Sequence, residues 1–373
     1  MESRQRRNSA LDWILGWVLV ALPASSPGLP EPDFGPGTRP SPLLPPAFWN
    51  SPCSNSLSAR LQTWFLAIAG ALLLFMQLVR DIYARKAAAR QPVISFEFFP
   101  PKTTEGDRAL LDKTLPALLL TKPDYCSVTY GAGGSTRDKT LMIVERIQRE
   151  HGLTAVAHLT CVCATQEQIR DLLGQIRALG VRNVLALRGD PPAGSEFQPD
   201  PGGFEYAGQL VKFIRELDGV HDFSIGVAGF PEGHIACTEG KLVDWRHLRE
   251  KINAGADFVI TQLFFDNADF YEFREHMERR EGVKVPLVPG IIPILSASQI
   301  QRFTALCGAR IPAALAVKLN ELGNDDAAVA EFGIEYATNQ CQDLLQAGAP
   351  GIHFYTLNKA RSTVRILQNL ALA

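Results

Sequence analysis

Glu97 is the residue whose neighbours most clearly suggest chemistry, because it interrupts the apolar stretch Ser-Phe-Glu-Phe-Phe at 95–99. A carboxylate beside Phe96, Phe98 and Phe99 is costly to bury unless it serves a site. Apolar neighbours also raise the pKa of a carboxyl group toward the range that a general acid needs. We therefore predict that Glu97 is a general acid with a raised pKa.

Further polar side chains stand late in otherwise apolar runs. They are Thr129, His158, Arg188 with Asp190, His234, Gln262 and Tyr355. Taken alone, a histidine such as His158 is more often a hydrogen-bonded core residue than a catalyst. The glycine-rich loop 131–136 offers backbone N–H groups to a phosphate, but a tight turn explains its glycines equally well.

Regular alternation of short apolar runs and amphipathic segments after residue 90 predicts the elements that position these side chains. The apolar runs are 93–99, 125–130, 154–161, 183–189, 223–230, 258–265, 287–292 and 351–357. Eight such units predict an α/β fold, a closed (β/α)8 TIM barrel over 91–373, with room for an extra helix or strand between the last two runs. In this fold the chemistry lies at the C-terminal ends of the strands, where the polar residues fall.

The charge and cysteine content exclude several classes of protein. With 37 basic and 39 acidic residues the formal net charge is −2, which gives no reason to expect a nucleic acid partner. The seven cysteines are scattered and include no CxxC pair, so neither a disulfide framework nor a metal site is expected. We expect a small-molecule enzyme of a reducing compartment, forming a homo-oligomer.

Residues 1–90 have a different composition and are predicted to lie outside the fold. Ten of the 25 prolines fall between Pro23 and Pro52, which predicts a disordered segment. Two apolar runs flank this segment. The run 13–22 is typical of a signal-peptide core, whereas 61–79 carries no charge and is long enough to cross a bilayer.

Three interpretations of this extension stay open. Basic residues follow the second run at Arg80, Arg85, Lys86 and Arg90, so a membrane helix at 61–79 would tether a cytoplasmic catalytic domain to the inner face of the membrane. Alternatively, translation starts at Met76 and leaves 298 residues, or the segment is cleaved during export.

Eight motifs together resemble the methylenetetrahydrofolate reductase family over about residues 93–370. They are SFEFFPPKT (95–103), YCSVTYGAGGSTRDKT (125–140), AHLTC (157–161), ALRGDPP (186–192), FPEGH (230–234), AGADFVITQLFFD (254–266), VPGIIP (288–293) and HFYTLN (353–358). The resemblance implies a FAD-containing TIM barrel that reduces 5,10-methylenetetrahydrofolate to 5-methyltetrahydrofolate in one-carbon metabolism and methionine biosynthesis. It also implies a ping-pong mechanism in which NADH or NADPH reduces the flavin before the folate binds.

The resemblance assigns roles to named residues. Glu97 matches the family's general acid for protonation of N10, and Asp190 matches the aspartate that stabilises the developing cation. The implied cofactor contacts are Thr129 for the nicotinamide and, for FAD, Tyr130, Ala132, His158, Arg188, Gly189, Asp190, Ala207, Phe230, His234, Asp244, His247 and Lys251. The implied folate contacts are Gln262, which also meets the nicotinamide, with Gln299, Phe303, Tyr355 and Lys359.

The sequence departs from the family pattern at a few positions. Lys359 stands where arginine is common in the family. An ammonium group, which acts as a point charge, therefore replaces a guanidinium group, which can form two parallel hydrogen bonds to a carboxylate. Gly229 and Phe230 replace a more usual Ala-Tyr pair and so remove a hydroxyl group. Because no regulatory domain follows the barrel, we expect the short, bacterial type of enzyme with the catalytic barrel only.

Two other functions remain as alternatives. One is a non-flavin TIM barrel that binds pterin or folate and acts in methyl transfer. The other is a membrane-tethered, non-catalytic binding subunit, in which replacing Glu97 would change nothing measurable. NADH and NADPH cannot be distinguished from the spacing of residues.

Overall fold

The computed structural model describes residues 77–130, 136–190, 198–218 and 222–373. Eight parallel strands form a closed barrel in sequence order, each paired with the next and β1 with β8. The strands are β1 Val93–Phe98, β2 Tyr125–Val128, β3 Thr154–Thr160, β4 Asn183–Leu187, β5 Ser224–Gly229, β6 Phe258–Leu263, β7 Leu287–Ile291 and β8 Gly351–Tyr355. The predicted (β/α)8 barrel is confirmed.

Helices cover the outside of the barrel and one precedes it. They are α1 Val79–Ala88, α2 Thr104–Ala109, α3 Leu115–Leu119, α4 Arg137–His151, α5 Gln166–Ala178, α6 Ala207–Asp218, α7 Lys241–Asn253, α8 Asn267–Glu275, α9 Ala297–Cys307, α10 Ala313–Leu322, α11 Asp326–Gln346 and α12 Ala360–Asn369. Short π-helical turns, Leu110–Thr114 and His276–Arg280, follow α2 and α8. The extra element expected between the last two strands is therefore helical.

Successive side chains of a strand point to opposite faces, and this alternation separates the residues of the apolar core from those of the site. On β1, Phe96 and Phe98 point outward into the large apolar cluster beneath the helices, together with residues such as Phe354 of β8. Glu97 lies between them and points to the barrel interior, because successive side chains of a strand face opposite sides. The phenylalanines next to Glu97 in sequence are thus not its neighbours in space.

Helix α1 closes the N-terminal end of the barrel, and it corrects the predicted domain boundary. Val79, Ile82 and Tyr83 are buried against inward-facing residues of the lower barrel, including Tyr125 and Phe258. Full burial of apolar side chains of this size contributes about 1.5–3 kcal/mol each. The boundary at residues 90 and 91 was therefore wrong, because residues 79–88 belong to the barrel.

Two of the four basic residues that suggested a membrane flank, Arg80 and Lys86, have partners within the barrel. Arg80 donates to the carbonyl of Phe223 at 2.8 Å and lies 3.7 Å from Asp257. Lys86 forms an ion pair with Asp124 at 2.9 Å. Their positions after the apolar run are explained by the closure of the barrel, so they no longer argue for a membrane orientation.

Residues 1–76 lie outside the described residues. They include all but the last three residues of the predicted membrane helix at 61–79. Its last three residues, 77–79, lead into α1. Within the ranges that the structure covers, no helix is both long and apolar enough to cross a membrane.

Candidate functional site

Glu97 lies at the centre of a buried polar cluster near the C-terminal end of the barrel. Its Oε2 atom is 3.3 Å from His158 Nε2 on β3 and 3.6 Å from His353 Nε2 on β8. Ser127 on β2, which is opposite Glu97 in the strand register, donates its hydroxyl proton to the same oxygen at 3.4 Å. Glu97, His158 and His353 are all nearly inaccessible to solvent.

The pKa of Glu97 differs from the sequence-based prediction. Burial acts to raise it, but the two imidazoles outweigh burial and lower the pKa from 4.5 to about 2. The expectation of a raised pKa was wrong because Phe96 and Phe98 face the helices, and the side chains that face Glu97 are polar. Glu97 is therefore a carboxylate that must gain a proton before it can act as an acid.

Both imidazoles have a buried nitrogen whose hydrogen-bonding capacity is unused. Their Nε2 atoms have no aligned hydrogen-bond partner, although each lies close to the carboxylate. The Nδ1 atom of His353 is 2.8 Å from the hydroxyl oxygen of Ser95. His353 and Ser127 were not singled out from the sequence, although both alternate with apolar residues on their strands as inward-facing residues do.

A second group of predicted residues gathers on the β4, β5 and α7 side of the barrel. His234 is within electrostatic range of Arg188, Asp190, Asp244 and Lys251. Burial and the cationic Arg188 lower the pKa of His234, against the opposing effect of Asp244. His247 is near Asp244 but exposed. The structure therefore brings together six of the twelve residues expected to contact FAD.

Lys251 is the most informative member of this group. Its Nζ donates to the carbonyl oxygen of Ala228 at 2.7 Å. Burial lowers the pKa of Lys251 from 10.5 to about 8, with Asp244 acting in the opposite direction. Gly208, in the first turn of α6, is next to the Lys251 side chain, since an added Cβ would lie in van der Waals contact with it at 3.5 Å. A half-buried cation beside a helix N-terminus is an arrangement suited to a phosphate group.

Other predicted cofactor residues line the same end of the barrel. Thr129 is buried, and the hydroxyl of the partly buried Tyr130 is a buried polar atom without a hydrogen-bond partner. Gly189 has φ +84°, and a Cβ there would lie 2.6 Å from Val162, so glycine is required. Ala207 is the first residue of α6. Ala132 lies outside the described residues.

Phe230, where the family has tyrosine more often, is held by two contacts. Its ring meets that of His234 edge to face, with centroids 4.5 Å apart. The indole nitrogen of Trp245 donates to the Phe230 carbonyl at 2.9 Å. The preceding Gly229 is closely packed, because a Cβ there would lie 2.8 Å from Val259. Packing of β5 against β6 therefore accounts for the small residue at position 229.

The predicted folate residues are spread over β6, α9 and β8. Tyr355 donates its hydroxyl to the carbonyl of Thr261 at 2.7 Å, and burial raises its pKa well above 10, so it stays protonated. The side-chain oxygen Oε1 of Gln262 accepts a hydrogen bond from the backbone N–H of Leu263 at 2.9 Å. Gln299 accepts from Leu295 through its side-chain oxygen, while its buried Nε2 is without a partner. Phe303 packs in the apolar cluster that includes Tyr355.

Two predicted residues lie farther from the enclosed part of the site. Lys359 is exposed at the start of α12, and Asp190 is exposed at the edge of a segment outside the described residues. Neither is placed in contact with the Glu97 cluster by a described hydrogen bond or ion pair.

The fold and the site define a (β/α)8 barrel with a buried acid–imidazole cluster and a second group of charged side chains, including Arg188 and Lys251, at the C-terminal ends of its strands. The family model for methylenetetrahydrofolate reductase matches residues 82–371, and the chain belongs to that family. The match begins within α1, consistent with the place of this helix in the barrel.

Curated relatives agree with this assignment. The chain is 41% identical over 291 residues to methylenetetrahydrofolate reductase (NADH) 1 of Arabidopsis thaliana, covering 76% of this chain and 49% of that protein. It is 36% identical over 277 residues to the 5,10-methylenetetrahydrofolate reductase of Pectobacterium carotovorum, covering 74% of this chain and 89% of that protein. The chain thus spans about half the length of the plant relative and most of the bacterial one.

Among solved structures, one neighbour supports the fold. It is an uncharacterized protein from Clostridium thermocellum that binds two copies of 5-methyl-5,6,7,8-tetrahydrofolic acid. The TM-score is 0.53 at 18% identity, covering 78% of this chain and 96% of that chain.

Proposed function

We propose that this protein is a FAD-dependent reductase that converts 5,10-methylenetetrahydrofolate to 5-methyltetrahydrofolate with NADH or NADPH, in one-carbon metabolism and methionine biosynthesis. The observation that carries the proposal is the buried Glu97 carboxylate between two imidazoles, on the same barrel face as the half-buried Lys251, which is suited to a phosphate. Family membership supports the same reaction.

The residues present fit FAD. Lys251, Arg188 and the N-terminus of α6 would hold the pyrophosphate, since two cations would meet its negative charge and a helix N-terminus favours an anion. The unpartnered Tyr130 hydroxyl and the imidazole of His158 offer polar contacts to the rest of the cofactor. Bound FAD would supply the redox chemistry that no amino-acid side chain provides, by carrying hydride from the nicotinamide to the folate.

Glu97 would deliver the proton that the folate needs. The five-membered ring of methylenetetrahydrofolate opens to an iminium only when N10 is protonated as its bond to the methylene carbon breaks. The imidazoles of His158 and His353 lie 3.3 and 3.6 Å from the Glu97 carboxylate and would relay a proton to it.

The remaining residues would bind and orient the substrates. Asp190 would stabilise the cation that develops on the pterin. Tyr355 and the free amide of Gln299 would hold the folate ring system, Phe303 would provide a stacking face, and Lys359 would meet the carboxylate tail. Thr129 would contact the nicotinamide. Gln262 would contact the nicotinamide and the pterin in turn. Because the two substrates would occupy the same site one after the other, these contacts support a ping-pong order.

The test is an absorbance experiment on the purified protein reconstituted with FAD. We expect a yellow protein whose flavin absorbance is bleached anaerobically by NADH or NADPH and restored by 5,10-methylenetetrahydrofolate, with 5-methyltetrahydrofolate as product. Absence of bleaching with both nicotinamides would contradict the proposal. A colourless protein that still binds folate would instead favour methyl transfer without a flavin.

A further inference from the structure

The turn that follows the last strand has an unusual backbone. Thr356 is 2% exposed and comes directly after β8, and Asn358 is half-buried two residues later. Leu357 and Asn358 both have positive φ, at 50° and 57°. Asparagine tolerates this left-handed conformation, but leucine rarely adopts it, so contacts with the surrounding structure must hold the turn.

Those contacts are made with β1, beyond the point where its pairing with β8 ends. The backbone register of the two strands ends at Glu97 and Tyr355. The side-chain amide of Asn358 continues the connection, because its Oδ1 accepts from the Phe99 N–H at 2.9 Å and its Nδ2 donates to the Phe99 carbonyl at 2.7 Å. One side chain thus satisfies both backbone polar groups of Phe99, as a neighbouring strand would do.

Thr356 holds the residue that carries the catalytic carboxylate. Its hydroxyl donates to the backbone carbonyl of Glu97 at 2.7 Å and accepts from the backbone N–H of Asn358 at 3.2 Å. The other side of β1 is held by the backbone, since the Thr129 N–H donates to the Phe98 carbonyl at 2.9 Å. The end of β1 is therefore fixed from both sides, by β2 and by the turn after β8.

Stabilisation of the turn alone does not explain these contacts. Asparagine and threonine side chains in turns commonly bond to their own or adjacent backbone groups. Both polar atoms of the Asn358 amide are instead used on Phe99, 259 positions away along the chain. The two side chains therefore join the C-terminal ends of two strands, in addition to shaping the turn.

We propose that Thr356 and Asn358 are positioning residues that fix the end of β1, and with it the direction in which the Glu97 carboxylate meets the folate. The inference rests on the proposed function and adds two residues to it. Lys359, the proposed contact for the carboxylate tail of the folate, directly follows Asn358. The same turn would therefore fix the acid and one substrate contact relative to each other.

The test measures the two half-reactions separately in Asn358→Gly. Glycine adopts positive φ readily, so the turn is kept while the bridge to Phe99 is lost. At saturating 5,10-methylenetetrahydrofolate, flavin reoxidation should slow by about tenfold to a hundredfold, because displacing a reacting group by about 1 Å costs up to that factor. Flavin reduction by the nicotinamide should be unchanged.

A double-mutant cycle with Glu97→Gln separates positioning from a general loss of structure. A residue that acts through the Glu97 proton has nothing left to position when that proton is absent. Adding Asn358→Gly to Glu97→Gln should therefore leave the remaining rate of reoxidation unchanged, whereas independent effects would multiply.

Thr356 provides a second pair of variants. Thr356→Val removes the hydroxyl at nearly constant size and should slow the same half-reaction, whereas Thr356→Ser keeps the hydroxyl and should restore most of the rate. Asn324→Gly is the matched control, because it replaces an exposed asparagine in the turn between α10 and α11. It should change neither half-reaction.

The outcomes separate this inference from the proposed function. Unchanged reoxidation in Asn358→Gly, equal slowing of both half-reactions, or multiplying effects of Asn358→Gly and Glu97→Gln would overturn the positioning role while the unsubstituted protein remains active. If Thr356→Val does not fold, the cycle with Asn358→Gly decides alone. If the folate does not reoxidise the flavin of the unsubstituted protein, the proposed function fails and the inference fails with it.

Discussion

At the scale of single residues, the fold changes two pKa values in ways that the sequence does not reveal. Glu97 is shifted to about 2 by its two imidazole neighbours, and Lys251 is shifted to about 8 by burial. Sequence reasoning found both residues as site candidates, but not these shifts. It located Glu97 by its apolar sequence neighbours, whereas the pKa depends on His158 and His353, which are 61 and 256 positions away along the chain.

The lowered pKa of Lys251 makes a prediction for cofactor binding. Only the protonated ammonium attracts a pyrophosphate, so FAD affinity should be constant below about pH 8 and should fall about tenfold per pH unit above it. Fluorescence titration of the apoprotein with FAD measures this dependence. Lys251→Met should bind FAD weakly and without the pH dependence, since the titrating cation is gone.

The control for this experiment is Lys212→Met, because the Lys212 side chain is 73% exposed and lies on the outer surface of α6. It should bind FAD like the unsubstituted protein across the pH range. A Lys251→Met protein with unchanged affinity and pH dependence would remove Lys251 from the cofactor site.

At the scale of elements, α1 shows where sequence patterns lose information. The eight strands were predictable because each is a short apolar run at regular spacing, and all eight were confirmed. Helix α1 was missed because Val79 continues the uncharged run that begins at residue 61, and the basic residues after it resemble a membrane flank. Only the barrel shows that Ile82 and Tyr83 face its lower opening.

Stability should depend on this helix. Ile82→Ala removes a fully buried side chain that packs against the lower barrel and should lower the free energy of unfolding by about 2–5 kcal/mol. Urea unfolding followed by circular dichroism measures the change. Asp81→Ala, on the exposed side of the same helix, is the control and should stay within about 0.5 kcal/mol of the original protein. Equal stability of both variants would mean that α1 is not part of the folded unit.

At the scale of the whole molecule, the barrel brings together the proposed cofactor site and the proposed proton-donating site, whose residues are distant in sequence. Parallel strands deliver their C-terminal ends to one face, so Glu97 of β1, His158 of β3 and Tyr355 of β8 converge there although other elements separate them. The fold class was enough to predict this convergence. Individual contacts, such as the one between Glu97 and His353, could not be predicted from the fold class. They depend on the strand register and on the tilt of the strands in the closed barrel.

Different residues are proposed to act in flavin reduction and in folate reduction, so measuring the two half-reactions separately is the most direct test of the proposed function. In Glu97→Gln, a side chain of similar size remains, but it cannot deliver a proton to N10. Stopped-flow absorbance can follow flavin reduction by the nicotinamide and flavin reoxidation by 5,10-methylenetetrahydrofolate as separate steps. We predict that flavin reduction stays within about threefold of the original rate, whereas reoxidation by the folate slows by a factor of about 10²–10⁴. Reoxidation by the folate at the original rate in Glu97→Gln would contradict the account.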